Sequence, residues 1–242
     1  MTCTGIVAAM TAEARILAKR PMEAGEVIHL PEGAMMQLSG IGARRACSAA
    51  RNLLEKGATA LLSWGSAGGL ISGLSPGSLV LPKTIIAADQ SVYPIDATWH
   101  ELLTSRLKAH VDFHKGPLAE STIILTGCVE KTTLFRRTGA TAADMESAAV
   151  AVVAQEAGVP FMAVRAITDP VEMAIPHSAI TAIDEFGRLR PSKLLKGLAR
   201  HPLELFPLVR LGRYFHAAKT TLATVARLAG SNLLFPYQAE DP

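Results

Sequence analysis

At 242 residues, with 49% apolar and only 5% aromatic content, the chain fits one large domain whose core is built from Ala, Leu and Val, which suits packed α/β layers. Its three cysteines, Cys3, Cys47 and Cys128, make neither a paired framework nor a metal spacing; this excludes a disulfide scaffold and a cysteine metal site and favours a reduced, cytoplasmic setting. The net charge of +3 divides unevenly, at −1 over residues 1–192, +6 over 193–230 and −2 over the final residues, so a basic segment follows a near-neutral body.

In chain order, TGIVAAM (4–10) has the pattern of a short buried strand, with no basic region before it that would mark a signal peptide. AEARILAKR has helical spacing, and AMMQLSG (34–40) is an apolar run closing on glycine. ARRACSAARNLLEKG (43–57) predicts a helix with a glycine stop. Residues 57–82 carry no charge and are long enough to span a bilayer, but their six glycines and two prolines predict strand, glycine loop and strand instead. The strand is ATALLSW (58–64), and the loop is GSAGGL. GSLVLPKTIIAA predicts one or two more strands, STIILTG (121–127) another, EKTTLFRRTG a short helix and SAAVAVVAQEAG a longer one. VPFMAVRAITD (159–169) is the clearest strand pattern, and AAKTTLATVARLAG (217–230) a final helix. Apolar runs alternating with helices imply a largely parallel sheet covered on both faces, with ligands bound beyond the strand ends. Glu13, Ser66, Glu146 and Asp169 collect at those ends.

Single residues leave their roles open. Asp144 and Glu146, flanking Met145 ahead of an apolar helix, suit either helix capping or ligand binding. Arg165 interrupts an apolar strand, and a buried arginine needs a carboxylate or an anion beside it. Strand alternation puts Arg165, Ile167 and Asp169 on one face. Asp169, before Pro170, is either a turn former or a functional acid. The glycines of GSAGGL permit close approach to a ligand or simply a tight turn.

Taken together, AAMTAE, SGIG, GSAGGL, DMESAAVA and VRAITD, in this order across residues 4–170, resemble the purine nucleoside phosphorylase/nucleosidase family, especially its methylthioadenosine/S-adenosylhomocysteine nucleosidase branch. The resemblance implies a three-layer α/β fold, with a twisted, mostly parallel (mixed) central sheet between helices. It implies Asp169 as the general acid at purine N7, Glu146 on the ribose hydroxyls, Met145 packed on the sugar, and Ser66 near the base and its acid. Gly68 and Val129 join the expected substrate-binding set; Val129, with Phe135 further on, stands near where relatives carry an aromatic against the base. Asp144 is left as a helix-start residue. Glu13 and Arg165 match the pair that holds water in the hydrolytic branch. Arg44 and Arg45, after SGIG, would serve a phosphate acceptor instead, or else form a solvated helix start. Tyr93, Asp96 and Trp99 either line the sugar or lipid side or pack a loop. No metal and no cofactor is expected, inorganic phosphate entering only as a co-substrate, and no nucleic acid partner. Family precedent suggests a homodimer.

The chain divides into a nucleosidase-like domain (1–189) and a helical, basic extension (190–242) that mixes Leu and Phe with Lys and Arg and is interrupted by Pro191, Pro202 and Pro207. GATAADMES and this tail resemble the hopanoid-associated phosphorylase group, which implies adenine removal from adenosylhopane, a lipid-linked nucleoside. Residues 190–216 would then form the lipid-side lip of the pocket and touch a membrane surface peripherally. A methylthioadenosine/S-adenosylhomocysteine nucleosidase and a non-catalytic, membrane-associated nucleoside binder are the alternative readings.

Overall fold

The computed structural model describes residues 2–230 together with Leu233 and Phe235. The elements run β1 (Thr4–Ala8), α1 (Thr11–Ala18), β2 (Val27–Leu30), β3 (Ala34–Leu38), α2 (Ala43–Glu55), β4 (Ala60–Gly69), β5 (Leu79–Val80), β6 (Thr84–Ile86) and β7 (Val92–Pro94). Then come α3 (Ala97–Leu107), β8 (Phe113–His114), β9 (Leu118–Glu120), α4 (Cys128–Thr138), β10 (Ala142–Asp144), α5 (Ser147–Ala157) and β11 (Phe161–Asp169). The chain continues through α6 (His177–Ala182), α7 (Pro191–Arg200), a 3-10 turn at Pro202–Glu204 and α8 (Leu205–Ala229).

The sheet is mixed and mostly parallel, with helices on both faces. β4 is its hub, parallel to β1 on one side and to β11 on the other. Its last residues, Gly68 and Gly69, pair antiparallel with β10. β1, β4 and β11 are buried at nearly every position, as parallel strands covered on both faces must be. α2 and α5 pack on each other and against β1 and β4, while α8 packs on α1, α3 and β11. Because the three parallel strands point the same way, their carboxyl ends open at one edge, where open α/β sheets bind ligands.

Four sequence expectations change here. GSAGGL is no loop: all three of its glycines belong to the ten-residue strand β4. STIILTG is no strand; the pairing strand is Leu118–Glu120, and the apolar run that follows wraps the site as loop. A register shift between Ile167 and Asp169 breaks the alternation, so Ile167 joins the core while Thr168 and Asp169 line the cavity. The last helix begins at Leu205 and runs unbroken for 25 residues. The three prolines start elements rather than break them: Pro191 and Pro202 open α7 and the 3-10 turn, and Pro207 lies in the first turn of α8, where the missing N–H has no partner to lose. The distal half of α8 belongs to the core through Ala218, Leu222, Val225 and Ala229.

Candidate active site

A cavity of about 660 Å³ lies beyond the ends of β1, β4, β10 and β11. Its inner end carries Glu13, Ser66, Gly68, Asp144, Met145, Glu146, Arg165 and Asp169. Its outer end is apolar, walled by Leu194 and Leu198 of α7 and by Leu205, Leu208, Leu211 and Phe215 of α8.

Glu13 stands at the third position of α1, where its carboxylate accepts the Met10 N–H at 3.1 Å, half of a capping arrangement. Its other oxygen accepts the Ser66 N–H at 2.8 Å and the Ser66 hydroxyl at 2.7 Å. The carboxylate lies flat over Gly65, where an added Cβ would sit 2.8 Å from Glu13 Oε2. A buried acid this close to a strand needs glycine beneath it. Burial pushes the Glu13 carboxyl up, against the opposing effects of the Ser66 hydroxyl and Arg165. Ser66 therefore serves Glu13; the hydroxyl on Asp169 belongs to Thr168, which donates to Oδ1 at 2.7 Å.

Glu146 follows β10 and reaches across to the start of α2. Its Oε1 accepts the Gly42 N–H at 2.7 Å, and Oε2 accepts the Met145 N–H at 3.3 Å. Gly42 has φ 106°, a conformation open to glycine, so SGIG and DMES are two halves of one contact. Burial first, then the neighbouring Asp144, pushes the Glu146 carboxyl up to about 7. Asp144 is more than a helix-start residue. It accepts the Ser147 N–H at 3.2 Å, and also Arg165 Nε at 2.7 Å in an ion pair with both partners buried. Three further donors of Arg165 go to the Val164 carbonyl and to the hydroxyls of Ser63 and Ser147. The structural ion pair is thus the role the geometry supports for Arg165, with a lowering effect on the pKa of Glu13 and Glu146 as its reach into the cavity.

Asp169 has a partner that the sequence did not suggest. Lys131 on α4 is fully buried; its ammonium is ion-paired with Asp169 Oδ2 at 2.7 Å and hydrogen-bonds the carbonyls of Asp169, Pro170 and Met173 at 3.1, 2.8 and 3.1 Å, so its three N–H groups are shared among four acceptors. Burial raises the Asp169 pKa and Lys131 works against it. Gly68 makes room for this carboxylate, as an added Cβ there would lie 3.0 Å from Oδ2. Lys131 follows Glu130, whose carboxylate caps α4 at the Gly127 N–H; in so polar a helix a lysine looks solvated.

Several expected residues lie elsewhere. Val129 is 80% exposed on the first turn of α4, and neither it nor Phe135 lines the cavity. Their place is taken by Ser121, Ile123, Ile124 and Leu125 of the preceding loop, and the aromatic lining comes from Trp64 and Phe215. Arg44 is exposed on α2, and Arg45 turns outward to Glu185 at 3.8 Å; neither reaches the cavity. Tyr93 and Asp96 line a separate surface crevice. Asp96 caps α3 at the Trp99 N–H, and the Trp99 indole is buried against the Leu233 carbonyl. None of the three lines the cavity, and none packs a loop in the simple sense: Tyr93 is on β7, Asp96 caps α3 and Trp99 lies within that helix. Among the described residues no group of His, Cys, Asp and Glu could hold a metal ion.

Comparison with known proteins places the fold. No curated protein sequence matches the chain. Among solved structures, futalosine hydrolase of Helicobacter pylori is 21% identical with a TM-score of 0.64, covering 83% of this chain and 98% of that one. A Helicobacter pylori 5′-methylthioadenosine/S-adenosylhomocysteine nucleosidase, solved with 5′-methylthioadenosine in its active site, is 19% identical with a TM-score of 0.65, covering 93% and 97%. The corresponding nucleosidase of Neisseria meningitidis, in complex with methylthio-immucillin-A, is 18% identical with a TM-score of 0.61, covering 93% and 99%. The phosphorylase superfamily pattern matches residues 5–198. The chain belongs to the phosphorylase superfamily of enzymes.

Proposed function

We propose that the chain cleaves the N-glycosidic bond of a purine nucleoside, releasing adenine, with water as the acceptor and adenosylhopane as the substrate. The observation that carries the reading is the division of one cavity into an acidic inner end and an apolar outer arm. The inner end suits a ribose that gains positive charge as its base departs. Glu146 takes the ribose hydroxyls, and its negative charge complements the developing oxocarbenium ion. Asp169 protonates N7 while the C1′–N9 electron pair leaves with the base. Water adds to C1′ and gives its proton to Glu13. The outer arm takes a polycyclic hydrocarbon on the ribose 5′ carbon. Resemblance of the tail to the hopanoid-associated group supports that substrate.

Phosphate fits less well than water. Glu13, Asp144, Glu146 and Asp169 line the cavity with one cation, Arg165, already paired to Asp144. A dianion needs cations or N–H donors free to meet it. The second reading, a methylthioadenosine/S-adenosylhomocysteine nucleosidase, draws on the shared fold with the solved nucleosidases; such small substrates would leave the apolar arm empty. Turnover of adenosylhopane with and without phosphate, followed by mass analysis of the sugar product, tests the proposal. Free ribosylhopane at an unchanged rate is expected; a phosphorylated sugar formed only with phosphate would overturn the choice of water, and failure to release adenine would overturn the activity.

A further inference from the structure

We propose that the outer ridge of α7 and α8 docks on an anionic lipid bilayer, and that the cavity receives the apolar part of its substrate directly from that bilayer. The second half rests on the proposed lipid-linked substrate; the first half does not.

Leu195, Leu203 and Phe206 are 70%, 88% and 82% exposed. Exposed apolar side chains scattered singly mean little, but here they come from three consecutive elements, Leu195 from α7, Leu203 from the 3-10 turn and Phe206 from the start of α8, which suits an interaction surface. Cations surround it: Lys193, Lys196, Arg200, Arg210 and Arg213 are also exposed or partly so. The one carboxylate in this stretch, Glu204, turns inward and accepts the Ser178 N–H at 2.9 Å. The ridge thus presents apolar tips and positive charge with no acid facing outward from 190–216, which complements phospholipid headgroups above an acyl layer. No helix among the described residues is long and apolar enough to cross a membrane, so the ridge lies on the surface.

The cavity wall continues into this ridge. Leu205 and Val209 line the cavity and yet are about half-exposed, as Leu189 is on the neighbouring loop. A hydrocarbon can pass from the bilayer into the arm without leaving apolar contact. A second copy of the chain is the competing occupant. A two-fold contact places the same patch on itself, so it would bring the five cations of each copy together.

The test is co-sedimentation of the full chain with vesicles of phosphatidylcholine alone or mixed with phosphatidylglycerol, using the wild type and Leu203→Asp/Phe206→Asp. Neither residue lines the cavity. We expect binding to the anionic vesicles that weakens with salt, and at least tenfold weaker binding by the double variant. The variant should turn over soluble methylthioadenosine at the wild-type rate but lose at least tenfold on a long-chain 5′-alkylthioadenosine embedded in the vesicles. Wild-type protein left in the supernatant, a variant that binds as well as wild type, or a stable wild-type dimer that the variant splits into monomers would each overturn the docking surface. Vesicle binding as expected with no adenine released from any nucleoside would support the surface while overturning the proposed function.

Discussion

The role proposed for Asp169, protonating a departing purine, requires a carboxyl that holds its proton near neutral pH. Burial of Asp169 favours that state, whereas Lys131 at 2.7 Å favours the ionised one. The two residues form a unit: removing one partner leaves the other buried and uncompensated, at a cost on the order of 3 kcal/mol. Asp169→Asn should therefore lower turnover about 100-fold or more and also lower Tm. Adding Lys131→Met should restore much of the Tm but none of the turnover, which steady-state rates and thermal melts on both variants check. Glu146 makes a second expectation at this scale. Its folded pKa of about 7 lies above the ordinary 4.5, so the stability it contributes is fully present below 4.5 and lost as pH rises through 7. Glu146→Gln should match the wild type near about pH 4 and exceed it at about pH 8, with a ceiling of about 3 kcal/mol, or roughly 6–12 °C in Tm.

The elements show what was legible in sequence and what was not. Strands β1, β4 and β11 and helices α2 and α5 carry their periods openly, because fully buried parallel strands are apolar runs and the helices between them end on glycine. Asp169, Glu146 and Glu13 could be placed at strand ends for the same reason. The glycines of GSAGGL misled, since glycine is costly inside a strand; here the cost is accepted so that two carboxylates can lie against β4. STIILTG misled because an apolar run that lines a cavity has the same composition as one that joins a sheet. Lys131 was hidden by its helix, whose other side chains are mostly polar, and the bulge near Thr168 left no mark in an alternating pattern. Gly65→Ala tests the first of these points. Its Cβ would press on Glu13, whose carboxylate can swing away more readily than the strand can move. The expected result is a small change in Tm with at least a tenfold loss of turnover, read from a thermal melt and the adenine assay.

Across the whole molecule, the cavity joins chemistry at the sheet edge to an apolar arm built by the last quarter of the chain. Each buried methylene is worth about 0.8 kcal/mol, so affinity should follow chain length. Along a series of soluble 5′-alkylthioadenosines, KM is expected to fall about fourfold per added methylene until the arm is full, with kcat nearly constant; a flat series would mean that the arm takes no part in binding. The far end of the same helix is fixed in the core by Leu222 and Val225, both fully buried. α8 is unbroken, so its ridge cannot shift without the core. From Leu205 to Phe215 the helix lines the cavity, a distance of about 15 Å at 1.5 Å per residue. A protein resting on the bilayer by this ridge would hold its acids at a set height above the lipid. The helix then works as a ruler: a hydrocarbon shorter than that gap would leave the ribose below the carboxylates, and one long enough to span it would bring the glycosidic bond up to them.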